Sequence, residues 1–172
     1  MCGDFDDDGD SDYVVGNLGL NSMLRASERE PIEVHAADFD QNGSIDPVIS
    51  RYIQGERYPV AFRDVLVEQM IGMKARFPRY VDYADATLEE TLQRSEREAA
   101  YKPRSVQLAS SYLENLGAGR FELHELPLPA QLAPIFGMLP GDFDADGKLD
   151  LAMVGNSRAT EIQGGWYDAS IG

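Results

Sequence analysis

The sequence predicts a mainly β fold carrying an α-helical insertion. Three observations predict it: an acidic nine-residue pattern that occurs three times, a short β-branched or apolar run after each copy, and one stretch where the apolar spacing turns helical.

The pattern is DxDxDGxxD. It reads Asp4, Asp6, Asp8, Gly9, Asp12 in the first copy, Asp38, Asp40, Asn42, Gly43, Asp46 in the second, and Asp142, Asp144, Asp146, Gly147, Asp150 in the third. Carboxylates that converge on one point repel one another unless a cation sits among them, and hard oxygen donors of this kind suit Ca²⁺. Up to three calcium sites are therefore expected. Positions 1, 3, 5 and 9 supply side-chain oxygens, and position 7 supplies a backbone carbonyl, from Asp10, Ser44 and Lys148. Glycine at position 6 permits the sharp turn that aims both halves of the loop inward. Asn42 keeps an oxygen but removes a charge, which makes the second site the weakest. A single acidic turn is as often a solvated hairpin; three copies sharing the position-9 Asp and a following strand favour the metal.

An EF-hand starts with the same letters but takes a bidentate Glu at position 12 and lies between helices. Here position 12 is Val15, Ile49 or Met153, none of which can ligate. The residues after each loop read instead as strands: Tyr13-Val14-Val15, then Val48-Ile49, then Leu151 to Val154. Pro47 fits a strand's first position.

The other elements follow in order. The segment 17–33 is polar and turn-like, and residues 31–36 alternate as a strand into the second loop. Residues 48–52 return through Gly55 to a strand around 58–62. Val65, Leu66, Gln69, Met70, Met73 and Phe77 then fall on a helical stripe over 63–76. A second helix opens at Thr87, where Glu90 completes a capping box, and runs to Pro103. Residues 107–115 and 121–124 form a hairpin through Gly117-Ala118-Gly119, and 135–139 is a strand. The first two loops start 34 residues apart and the last two 104 apart, as for a repeat with an insertion. This divides the chain into 1–62 with two loops, a helical insertion at 63–104, and 105–172 with the third loop.

Composition bounds the function. With 172 residues, 43% of them apolar, the chain can bury a core. A formal charge of −15 excludes a nucleic-acid backbone or an anionic membrane surface as an attractive partner. Thirteen of the thirty carboxylates lie in the loops, and three Ca²⁺ would offset six of the excess negative charges. No apolar run is long enough to span a membrane, so no membrane insertion is expected. One cysteine, Cys2, excludes an internal disulfide. A chain that opens on a metal loop is expected to be a segment of a longer protein.

The third loop, Gly141 to Asp150, resembles the FG-GAP or VCBS repeat, the calcium-bearing unit of integrin-α-like β-propellers, and Asn115-Leu116-Gly117-Ala118-Gly119-Arg120-Phe121 resembles the NxGxGxF hairpin of those repeats. The whole stretch is similar to the repeat region of the ASPIC/UnbV and cartilage acidic protein group. The resemblance implies a partial β-propeller of about two to three blades. It also implies an extracellular, cell-surface or periplasmic location and calcium in a structural role.

The resulting expectation is a module that binds a protein or glycan ligand, with possible self-association through exposed sheet edges. No catalytic residues are assigned. His35 and His124 are the only histidines and are expected to pack or face solvent, and Ser110-Ser111 lacks a nucleophile elbow. The alternative is a propeller-based hydrolase or other carbohydrate-active enzyme, since carboxylate pairs can perform acid/base work. A calcium sensor would need helix pairs that open on binding, and the missing position-12 Glu argues against it. Trp166-Tyr167 is expected in a terminal strand in preference to a stacking platform.

Overall fold

The computed structural model describes residues 1–158 and 165–170. In chain order the strands are β1 (Cys2–Gly3), β2 (Asp12–Val15), β3 (Ile32–Ala37), β4 (Asp46–Ile53), β5 (Glu56–Pro59), β6 (Arg104–Ser105), β7 (Ser111–Asn115), β8 (Phe121–Glu125), β9 (Ile135–Gly141) and β10 (Asp150–Gly155). The helices are α1 (Arg63–Gln69), α2 (Met73–Arg76), α3 (Tyr80–Tyr83), α4 (Leu88–Thr91) and α5 (Arg94–Ala99). The fold is mainly β, its sheets antiparallel and open. No helix among the described residues is long and apolar enough to cross a membrane. The chain forms two compact units, residues 1–23 with 108–172, and residues 24–107.

In the first unit the sheet order is β1-β2-β7-β8, and β9 pairs with β10 in a separate hairpin. Period-two alternation buries Asp12 and Val14 of β2 while Tyr13 and Val15 face out. Exposed Tyr13 meets Phe121 across the sheet, with ring centroids 6.0 Å apart. Behind the sheet the packing is partly polar. Gln131 is 2% exposed; its side-chain carbonyl accepts the Ser110 N–H at 2.9 Å, and its amide donates to the Ser110 and Leu126 carbonyls at 2.8 and 2.9 Å. Gly19 lies so close to this residue that an added Cβ would stand 2.5 Å from the Gln131 carbonyl oxygen, and its φ is +81°. Only glycine meets both demands. The hairpin between β7 and β8 turns through Gly117, Ala118 and Gly119, all with positive φ, as their spacing predicts. Near the C-terminus, Ser157 and Tyr167 pair in an isolated antiparallel bridge, and the Arg158 guanidinium lies 5.0 Å from the Trp166 ring centroid. Gly164, before this aromatic pair, lies outside the described residues.

In the second unit the sheet order is β5-β4-β3-β6. β4 alternates cleanly, burying Asp46, Val48 and Ser50 and exposing Pro47 and Ile49. Val48 joins Leu66, Met70, Met73, Phe77, Ala86, Leu88 and Leu92 in one apolar cluster. The stripe expected over 63–76 does face this core, but the helix is not continuous. Met70 adopts φ −130° and ψ 97°, and Gly72, a poor helix former, precedes the restart at Met73. The capping box at Thr87 forms: Thr87 Oγ1 accepts the Glu90 N–H, and Glu90 Oε2 accepts the Thr87 N–H at 2.8 Å. That helix, expected to run on to Pro103, stops at Thr91. Leu92, buried in the core, leaves the helix with φ −111° and ψ 124°, and a new helix starts after Gln93, whose N–H is accepted by the Glu96 carboxylate. Bidentate pairing of Arg76 with Glu96, at 3.0 and 2.9 Å, ties α2 to α5.

Candidate metal centres

Each acidic loop connects two antiparallel strands in the same register. Position 9 faces the residue just before the loop: Gly3 opposite Asp12, Ala37 opposite Asp46, and Gly141 opposite Asp150. The strand pattern on either side of the loop therefore decides what kind of loop it is. The helices of an EF-hand are absent from all three.

The backbone repeats as well. Position 4 is left-handed in every copy, with φ of 64° at Asp7, 61° at Gln41 and 63° at Ala145. Position 6 follows with φ of 94° at Gly9, 89° at Gly43 and 86° at Gly147, a region open chiefly to glycine. The position-2 amide donates to the position-9 carboxylate in each loop: Phe5 to Asp12 at 3.1 Å, Phe39 to Asp46 at 3.0 Å, Phe143 to Asp150 at 2.9 Å. The position-6 amide donates to the first Asp: Gly9 to Asp4 at 3.2 Å, Gly43 to Asp38 at 2.9 Å, Gly147 to Asp142 at 3.0 Å. The position-7 amide donates to position 5: Asp10 to Asp8 at 3.0 Å, Ser44 to Asn42 at 2.8 Å, Lys148 to Asp146 at 2.8 Å. These bonds curl the chain so that the acidic side chains share one side of the turn.

Three carboxylates converge in each loop, with one oxygen from each lying within 4.8 Å of the others. They are Asp4, Asp6 and Asp8; Asp38, Asp40 and Asp46; and Asp142, Asp144 and Asp146. Asp12 and Asp150 stand outside these closest groups, at the starts of their strands, whereas Asp46 at the same position belongs to its group. Asp10, Ser44 and Lys148 are placed through their amides, as given above.

A hard cation fits this donor set. The converging atoms are all oxygen, and in the first loop Asp4 Oδ1 and Asp10 Oδ1 are buried with no hydrogen-bond partner. The charges are also crowded. Loss of water pushes the Asp6 carboxyl up, the Asp8 amide pulls it back, and the charges of Asp8, Asp12 and Glu114 raise it again. Asp10 is raised by loss of water and then by Asp8, Asp12, Asp6 and Asp4. Asp46 is raised by burial, against the Phe39 amide, and by Asp40 and Asp38. Asp12 differs: burial pushes it up, but the Asn115 amide, the nearby Tyr112 hydroxyl and the Phe5 amide hold it below the usual carboxylate range. Asp12 is wholly buried and accepts the Asn115 N–H at 2.9 Å, while Asn115 Nδ2 donates to the Ser11 carbonyl at 3.2 Å. The first loop is thus fastened to β7 by Asp12 and Asn115.

Two features of the site escape the acidic pattern. One is the phenylalanine at position 2. Phe39 packs against the apolar core of its unit, and Phe5 meets Tyr112 edge-on at 6.3 Å. The signal was present, since Phe5, Phe39 and Phe143 occupy the same place in all three copies. The other is Asn115, 103 residues from Asp12, which nothing in local spacing connects to the loop. His35 is buried in β3, and His124 lies in β8 with its Nε2 2.9 Å from Glu114. Neither histidine is among the converging groups.

Comparison with protein-family models, with curated proteins and with solved structures finds no match to this chain. What the molecule does has to be read from its loops and surfaces.

Proposed function

We propose that this chain is a calcium-stabilised binding module, a segment of an FG-GAP or VCBS-type β-propeller from an exported or cell-surface protein, in which metal fixes the loops and other surfaces meet a protein or glycan ligand. Acidic turns occur without metal in many proteins. The observation that carries the cation here is threefold repetition: the same strand register, the same left-handed residue at position 4 and the same amide-to-carboxylate bonds recur in loops whose other residues differ.

In this reading the side chains of Asp4, Asp6, Asp8 and Asp12, of Asp38, Asp40, Asn42 and Asp46, and of Asp142, Asp144, Asp146 and Asp150 hold the ions. The carbonyls of Asp10, Ser44 and Lys148 complete them. Bound calcium would supply positive charge that cancels carboxylate repulsion and would lock each hairpin at its turn. The four-stranded sheet of each unit contains one loop-bearing hairpin, which is compatible with this reading. Outer edges that are unpaired among the described residues, such as that of β8, offer a route to self-association.

Calorimetric titration of metal-free protein tests the proposal. Calcium is expected to bind at up to three sites and magnesium much more weakly, because Mg²⁺ demands a tighter octahedron and gives up water reluctantly. Asp6→Asn, Asp40→Asn and Asp144→Asn should each remove one site. An absence of calcium binding at millimolar concentration would reject the reading.

A further inference from the structure

The second unit carries a cleft that the acidic loops do not account for. Its volume is about 510 Å³, and four of the residues lining it are cations: Arg57, Arg94, Arg97 and Lys102. They gather there in a chain with 15 Lys and Arg against 30 Asp and Glu. β5 supplies Arg57, α5 supplies Arg94 and Arg97, and the link to β6 supplies Lys102. The lining carboxylates are Glu33 and Glu98.

The cations are not equally compensated. Arg57 is paired with Glu33 at 2.8 Å and also with Glu89, and Arg94 with Glu98 at 2.7 Å. Arg97 donates through Nη1 to the Leu92 carbonyl at 2.8 Å. Neither Arg97 nor Lys102 forms an ion pair among the described residues. His35 also lines the cleft; it is 1% exposed, and its Nδ1 is buried without a hydrogen-bond partner. Burial pushes this imidazole below its ordinary value. Glu33 opposes that shift, and the charges of Arg57, Lys102 and Arg97 add to it.

We propose that this cleft binds a small oxyanion, a phosphate- or carboxylate-bearing ligand, through Arg97 and Lys102, the two lining cations that form no ion pair among the described residues. A guanidinium offers forked donors to two oxygens of such a group, and an ammonium adds a point charge. A neutral His35 completes the polar lining without adding to the net charge. The site is independent of the calcium loops and needs none of their residues.

The test uses the calcium-loaded chain. Sulfate serves as the tetrahedral probe, glucuronate as the carboxylate probe and chloride as the control, all at matched ionic strength, followed through ¹H–¹⁵N shifts. Sulfate, glucuronate or both are expected to shift the amides of residues 33–35 and 94–102 saturably, and their relative affinities identify the preferred group. Lys102→Gln, at an exposed position that cannot disturb the core, and Arg97→Gln should each weaken binding at least fivefold. Shifts no larger than those from chloride, or unchanged binding in both variants, would overturn the proposal.

Discussion

The two units bury different things. In the second, eight apolar residues from β4 and the helices form a continuous cluster, with Leu66, Leu88, Leu92 and Val48 almost wholly removed from water. In the first, the described apolar side chains that are buried are Val14, Ala109, Ala130, Ala133 and Pro134, all small, while Asp12, Ser110, Ser111 and Gln131 are buried in the same unit. Apolar burial stabilises by roughly 25 cal/mol per Å², so the second unit has a large non-directional term that the first lacks. The first must rely on satisfied polar groups and on its two acidic loops. Metal should therefore matter most where the apolar core is thinnest.

Chelation should have the largest effect. Removing calcium is expected to unfold or loosen the first unit, with its loops at 4–12 and 142–150, while the second keeps its core protection. Calorimetric scans with and without chelator would show one transition moving well below the other. A single transition that chelator leaves in place would break the contrast.

Next in size are two substitutions of similar cost, one in each unit. Asp12→Ala strands the amides of Phe5 and Asn115, and two half-buried donors left without this partner should cost about 2–3 kcal/mol in denaturant unfolding. Leu88→Ala leaves a cavity in the second unit and should cost about 2–5 kcal/mol. Calcium should not alter the Leu88 penalty. If Leu88→Ala instead lowers calcium affinity in all three loops, the units are not separable in the way described.

Smaller again is Gln131→Leu, which leaves the Ser110 N–H and the Leu126 carbonyl without the Gln131 side chain, while the Ser110 carbonyl keeps the Leu126 N–H, and should cost about 2 kcal/mol, all in the first unit. Exchange at the Ser110 amide would report it directly.

Acid should weaken calcium binding progressively. In the ion-free fold Asp6, Asp10 and Asp46 have raised carboxyl values, so the folded state takes up protons at a higher pH than the unfolded chain does. Their ionisation therefore destabilises the ion-free fold as pH rises above the ordinary carboxylate range. At Asp6 and Asp46, protons would compete with calcium for the same oxygens as pH falls back toward it. Affinity measured between pH 7 and pH 5 should fall with acidity. A flat profile would count against Asp6 and Asp46 as ligands.

The strands were largely legible in the sequence, because alternation along Asp46 to Ser50 and the β-branched run after each loop are local signals. So were the hairpin turn at Gly117 to Gly119 and the capping box at Thr87. Helix length was not, since the stripe from Leu66 to Phe77 stays in phase across the break at Met70 and Gly72. A periodicity reading sees the phase and not the interruption. The short α3 after Pro78 gave no signal at all. Strand partners were also hidden. β2 pairs with β7 across the whole second unit, and that choice depends on tertiary contacts that no window of sequence contains. The loop residues were legible at the level of the pattern, whereas the Asp12–Asn115 fastening and the cationic cleft, assembled from four separate stretches of chain, were not.

Hydrogen exchange followed by mass spectrometry, on metal-free protein and at saturating calcium, tests the central claim most directly. Calcium in the three acidic hairpins predicts slower exchange in peptides covering 4–12, 38–46 and 142–150, with the gain largest in the first unit. Identical exchange in all three peptides with and without calcium would contradict it.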